Sequence, residues 1–133
     1  MGYRVYDKKK KKFITDNIFL TPEGELVESK KSLFGDKLTF VDENRYVYQK
    51  AIGLVDRNGK DIYIGDHLEA NVEKDRTIKG LVIFAKELSA YIILSFDSDE
   101  YFTLGTEVCQ YISIIGNVFD EPKKLKKNDK QTL

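Results

Sequence analysis

The sequence predicts a mainly β protein made of two small packed β subdomains, the C-terminal one an SH3-like barrel, with at most one or two short helical turns. Three observations carry that expectation. Short runs of β-branched and aromatic residues recur from Tyr3 to Ile115, each of strand length. Clusters of Gly, Pro, Asn and Asp punctuate them. No window in residues 1–50 keeps apolar residues at i, i+3, i+4 and i+7 for three turns, so no helix of ordinary length is expected there. The expected divisions are an N-terminal β subdomain over 1–50, the barrel over 51–120, and a basic, largely mobile tail over 121–133.

Element by element, Tyr3 and Val5 on one side and Phe13 and Ile14 on the other flank the run Lys8–Lys12, which reads as a hairpin. Thr21-Pro22-Glu23-Gly24-Glu25 is a turn, because proline presets φ at its second position and glycine accepts unusual dihedrals. Leu26–Leu33 is expected to be one loose helical turn or a loop. A break over Ser32–Lys37 follows, centred on Gly35-Asp36, and then a hairpin that pairs Leu38–Val41 with Tyr46–Tyr48.

In the second half, Asp56-Arg57-Asn58-Gly59-Lys60 is a strong turn signal, since Asn-Gly tolerates positive φ. Ile62–Ile64 is a short strand, and Gly65-Asp66 bends the chain into His67–Val72. Ile78–Ala85 and Tyr91–Phe96 are the most apolar runs and are expected to pair across Lys86–Ser89. Asp97–Glu100 turns into Tyr101–Leu104, Gly105–Gln110 is expected to hold a single helical turn, and Tyr111–Ile115 is the last strand. Five short strands between residues 67 and 118 fit a small closed or nearly closed barrel, the SH3-like order among several that fit.

Composition narrows the function classes. Apolar residues make up 41% and charged residues 33%, which is globular rather than disordered. No apolar run approaches the length needed to span a bilayer, and the lysine run follows Met1-Gly2-Tyr3-Arg4 without an apolar segment behind it. Cys109 is the only cysteine, so no intramolecular disulfide forms; it is expected to be a small buried apolar residue. A cytoplasmic protein without membrane contact is expected.

Net charge is zero but unevenly placed. Arg4 and Lys8–Lys12 against Asp7 leave residues 1–12 at +5, and residues 121–133 stand at +3. The body between them, with 11 basic and 19 acidic residues, stands at −8. Duplex-binding domains gather positive charge on one folded face, so nucleic-acid binding by the body is disfavoured. It remains an alternative for the ends, through Lys8, Lys9, Lys10, Lys11, Lys12, Lys123, Lys124, Lys126 and Lys127. The simpler reading of the lysine run is a solvated turn.

Chemistry is sparse. Asp56-x-Asn58-x-Lys60 begins like a calcium loop, but lysine at its fifth position and Asp61 at the required glycine break the pattern. Asp97, Asp99 and Glu100 read as an acidic turn before a cation site. His67 is the single histidine, which leaves no set of ligands for zinc and no base for a triad. No phosphate-binding glycine loop occurs. No catalytic residue, metal or cofactor is expected. Eight tyrosines and eight phenylalanines remain, of which Tyr46, Tyr48, Tyr63, Tyr91 and Tyr101 are expected to be partly exposed and suited to an interface.

Three segments are similar to the YopX proteins of bacteriophages and prophages. They are Tyr3-Arg4-Val5-Tyr6-Asp7, then Gly53-Leu54-x-Asp56-x-Asn58-Gly59-Lys60-x-Ile62-Tyr63-x-Gly65-Asp66, then Ile115-Gly116-Asn117-Val118-Phe119-Asp120-Glu121-Pro122 followed by Leu125. They stand in the family's order and span nearly the whole chain. Tyr6 replaces a usual tryptophan, Ile64 a usual glutamate, and His67-Leu68 a usual apolar pair. The resemblance implies a phage or prophage product, mainly β, with an SH3-like C-terminal part and no assigned catalytic residue. The matching positions Asp56, Asn58, Gly59, Tyr63, Gly65, Asp66, Gly116 and Asn117 are read as structural, as turns and strand starts. The leading expectation is a non-enzymatic accessory protein that binds a host or phage protein or its own copies.

Overall fold

The computed structural model describes residues 2–14, 17–33 and 35–120. It is mainly β. Among the described residues twelve strands run in chain order: β1 Tyr3–Asp7, β2 Lys12–Ile14, β3 Ile18–Leu20, β4 Leu26–Ser32, β5 Gly35–Phe40, β6 Tyr46–Val55, β7 Asp61–Tyr63, β8 Asp66–Glu73, β9 Arg76–Ala85, β10 Ala90–Ser95, β11 Tyr101–Thr103 and β12 Ile112–Asn117. The helical content among the described residues is two single 3₁₀ turns, Lys86–Leu88 and Cys109–Tyr111. Two compact units divide after Gln49, and β6 carries the chain from the first into the second.

In the first unit β1 and β2 form the expected hairpin, with Val5 opposite Ile14 and Tyr6 opposite Phe13. Buried Asp7 organises its lysine turn. Its carboxylate accepts hydrogen bonds from the Lys9 and Lys10 amides at 2.9 and 3.1 Å, and its carbonyl accepts one from Lys11 at 2.7 Å. Arg4 lies over the Phe13 ring at 4.3 Å and donates to Gln49 at 2.9 Å.

Three expectations in this unit are corrected. Leu26–Ser32 is a strand, the central one of the sheet β3-β4-β5, although LVESKKS shows no apolar alternation. Pairing on both sides overrides its weak local preference. Gly35 and Asp36 are not a turn centre; they begin β5, opposite Ser32 and Lys31. Nor do Leu38–Val41 and Tyr46–Tyr48 form a hairpin, because β5 pairs with β4 while β6 lies beside β1. The Asp42–Arg45 turn explains the divergence. It closes on Asp42, whose carbonyl accepts from Arg45 and Tyr46 at 3.0 and 3.1 Å. Arg45 is then held against β1 by Asp7 and by the Lys8 amide, which donates to its carbonyl at 2.8 Å.

The second unit is a five-stranded antiparallel sheet, β11-β10-β9-β8-β12, with β7 paired to β6 beside it. Its count and order are compatible with an SH3-like barrel. β9 and β10 are the predicted core pair, joined through Lys86–Ser89 with Ser89 in the left-handed region. Ile62, Leu68, Val82, Ile93 and Ile112 are fully buried and pack into one cluster with Ile52, Ile78, Leu104 and Cys109. Gly80 faces β10 so closely that an added Cβ would stand 2.7 Å from the Leu94 carbonyl carbon, so only glycine fits.

Candidate functional site

The motif positions in the second unit converge on a structural latch. The Asp56-Lys60 turn closes with Gly59 at φ +79°, a conformation that glycine takes without penalty. One Asp56 carboxylate oxygen accepts from the Asn58 and Lys60 amides at 2.9 and 3.0 Å. The other reaches β12 and accepts from the Ile114 amide at 3.1 Å, while the Arg57 amide donates to the Ile112 carbonyl at 2.8 Å. Burial raises the Asp56 carboxyl, but the amides of Lys60, Ile114 and Asn58 outweigh it and hold the group below its ordinary value.

Gly65, at φ +98°, is clamped from two sides. Its amide donates to the Val82 carbonyl at 3.0 Å and its carbonyl accepts from Val118 at 3.1 Å. Asp66 is fully buried and accepts from the Tyr63 amide at 2.8 Å. Asn117 stands opposite Asp66 and Gly116 opposite His67, across an irregularity at Ile115. The Asn117 side chain caps the next turn, accepting from Phe119 at 2.8 Å and donating to Asp120 at 2.8 Å. The carboxylates of Asp56 and Asp66 and the Asn117 side chain thus each accept backbone amides at a turn or strand junction.

The other candidates divide. Lys8 to Lys12 are all exposed on the β1–β2 turn. Lys123, Lys124, Lys126 and Lys127, with the expected mobile tail, lie outside the described residues. The acidic turn is engaged, since both Glu100 carboxylate oxygens accept from Arg76 and Asp97 donates its amide to Ser95. Hydrogen bonding to Arg76 lowers the Glu100 carboxyl. Among the described residues no group of three His, Cys, Asp or Glu is placed to hold a metal. Burial raises the Cys109 thiol, with Asp56 adding to it, which leaves a protonated packing residue.

One feature was not expected from the sequence: an apolar groove of about 620 Å³ at one end of the core of the second unit. Ala70 and Val72 line it from β8, Ile93 from β10, Phe102 from β11, Leu104 from just after that strand, and Ile112 from β12. They belong to the core or pack on it, so the groove is the core's open end. The 3₁₀ turn forms one lip, with Val108 40% and Tyr111 51% exposed. Buried Cys109 pins this turn, and the Tyr111 amide closes it on the Val108 carbonyl at 3.0 Å. The Arg76–Glu100 ion pair ties the β8–β9 hairpin, which carries the opposite lip, to the turn before β11. The lining draws on residues from 70 to 112, and no local spacing announces it. The sequence signal was slight: two apolar side chains, Val108 and Tyr111, in an otherwise polar turn.

Comparison with known families decides the relationship. The family profile described as YopX protein matches residues 2–126. The chain belongs to the YopX family. Solved structures agree in fold. One is similar to this YopX-family chain at a TM-score of 0.61 with 17% identity, YopX from Bacillus subtilis, covering 95% of this chain and 98% of that one. Protein EF1440 from Enterococcus faecalis is similar at a TM-score of 0.52 with 20% identity, covering 94% and 97%. At those identities the likeness shows the fold alone. No curated protein matches. In this YopX-family chain the groove lies beside the Cys109–Tyr111 3₁₀ turn, outside all three motif segments.

Proposed function

We propose that this YopX-family chain is a non-enzymatic phage or prophage accessory protein of the host cytoplasm that acts by binding another protein. The observation that carries the reading is the open apolar groove of the barrel unit. Exposed apolar surface with a polar rim is the mark of an interaction site. Asp7, Asp56 and Glu100, the carboxylates with lowered pKa, lie outside the groove's lining and are committed to structural hydrogen bonds. Self-association is a further form of the same reading. Strand β5 is exposed throughout, and Phe40 stands in one cross-strand row with Val27 and Phe19.

The experiment is affinity capture from a lysate of the host bacterium, with and without nuclease, using the natural protein and a Val108→Glu, Tyr111→Glu variant. A stoichiometric protein that survives nuclease and is lost by the variant supports the reading. Capture that the variant leaves unchanged, or none at all with a mass independent of concentration, overturns it.

A second reading has one observation in its favour. Asp7 holds the lysine turn in a fixed shape with five exposed cations, a surface suited to phosphates. Nucleic-acid affinity that falls by about one log per log of salt for each phosphate contact, and is lost when Lys8–Lys12 become glutamine, would favour it. Affinity unchanged by those substitutions would remove it.

A further inference from the structure

The groove has a hydrogen-bonding edge as well as an apolar floor. Among the described residues β11 is an end strand of its sheet, bonded on one side to β10. Leu104 donates to the Tyr91 carbonyl at 2.9 Å and Ser95 to the Glu100 carbonyl at 3.0 Å, with Phe102 opposite Ile93 between them. Hydrogen-bonded pairs alternate along an antiparallel ladder. Thr103, opposite Ile92, therefore falls in the other class, and its N–H and C=O point off the free edge. Thr103 also lines the groove. A backbone donor and acceptor thus stand at the rim of an apolar trough.

The charge around the trough is mainly negative. Glu73 lines it, Glu107 is exposed beside Val108, and Asp97 and Asp99 are exposed in the turn before β11. Of the nearby cations Lys74 lines the groove, whereas Arg76 is spent on Glu100. Residues 50–120 carry 7 basic and 12 acidic side chains, a net charge of −5.

We infer that the groove takes an extended segment of a partner protein as an added strand along the free edge of β11, with apolar side chains at alternate positions turned inward and lysine or arginine at its flanks. The inference rests on the reading of the groove as a protein-binding surface and specifies its occupant. Main-chain bonds to Thr103 supply register, and alternate apolar side chains fill the space between Phe102, Leu104, Val108 and Tyr111. The acidic surround selects basic flanks and speeds encounter.

The test is selection of a random peptide library on the immobilised full-length protein, followed by affinity measurement for the selected peptides. The expected consensus alternates apolar and polar residues between basic ends. Thr103→Pro removes the outward N–H and leaves the bonds to β10 in place, so it should keep the melting temperature and weaken binding about tenfold. N-methylation of alternate peptide amides should do the same with the protein untouched, which covers the case of a misfolded proline variant. Selected peptides with acidic or helically spaced patterns, affinities indifferent to both changes, or no enrichment would each overturn the inference. Failed selection beside variant-sensitive capture from lysate would leave the protein-binding reading standing and replace the strand by a folded surface. Failure of both would end the groove as a site.

Discussion

Asp56 and Ile114 lie 58 positions apart in sequence and are joined by one hydrogen bond, the Ile114 amide donating to the Asp56 carboxylate at 3.1 Å. The same carboxylate closes its own turn, so a single side chain fixes both the β6–β7 turn and the register of the last strand.

Asp56→Ala leaves three amides without their acceptor, and a hydrogen bond to a charged group contributes roughly 1.5–3 kcal/mol. Chemical denaturation should show a loss of at least that size. Asp56→Asn keeps one acceptor oxygen and should lose less, with amide exchange faster at Ile114 than at Asn58. Equal losses for the two variants would mean that the turn bonds contribute nothing separable.

The buried Asp7 carboxylate receives Arg45 at 2.9 and 2.8 Å, and that pairing holds its carboxyl well below the usual carboxylate range. A group whose folded pKa is depressed contributes stability above its unfolded value, about 3.9, and loses it as pH falls below that value. The urea midpoint of the natural protein should therefore drop as pH is lowered from 5 towards 2. Asp7→Asn should be less stable at neutral pH and show a shallower drop, the remaining slope belonging to Asp56 and Glu100, which shift in the same direction. Parallel curves for the two proteins would refute the assignment.

Gly80→Ala tests the close approach of β9 to β10. The added methyl meets backbone that cannot yield without parting the central strand pair, so a destabilisation of about 1–3 kcal/mol is expected in denaturant unfolding. Gly105→Ala, where the space is open, should change little and serves as the control.

The sequence was most legible where local chemistry and tertiary context agree. Asn58-Gly59 is a turn by its own dihedral preference, and Ile78–Ala85 and Tyr91–Phe96 pair because both are apolar and joined by a short loop. It was least legible where a strand exists only because its neighbours bond it. The last five residues of Leu26–Ser32 are all charged or hydroxyl and show no apolar period, yet two strands flank it. The partners of Tyr46–Tyr48 depend on the long-range ion pair of Asp7 and Arg45, which no window of adjacent residues contains. The groove belongs to the same class. Its lining is gathered from segments between residues 70 and 112, and the open end follows from how the strands curl, which a one-dimensional pattern does not encode.

The locked turn at Asn58-Gly59 has a consequence for how the protein ages. In a loose chain an Asn-Gly pair deamidates readily, because the glycine nitrogen can swing onto the asparagine side-chain carbonyl. Here the Gly59 nitrogen donates to the Asp56 carbonyl at 3.0 Å and its φ is fixed at +79°. Exposed Asn58 should stay intact during long incubation of the native protein and convert once the turn opens. Isoaspartate at that position, read by mass spectrometry of a peptide digest, would then act as a chemical clock that records the time each molecule has spent unfolded.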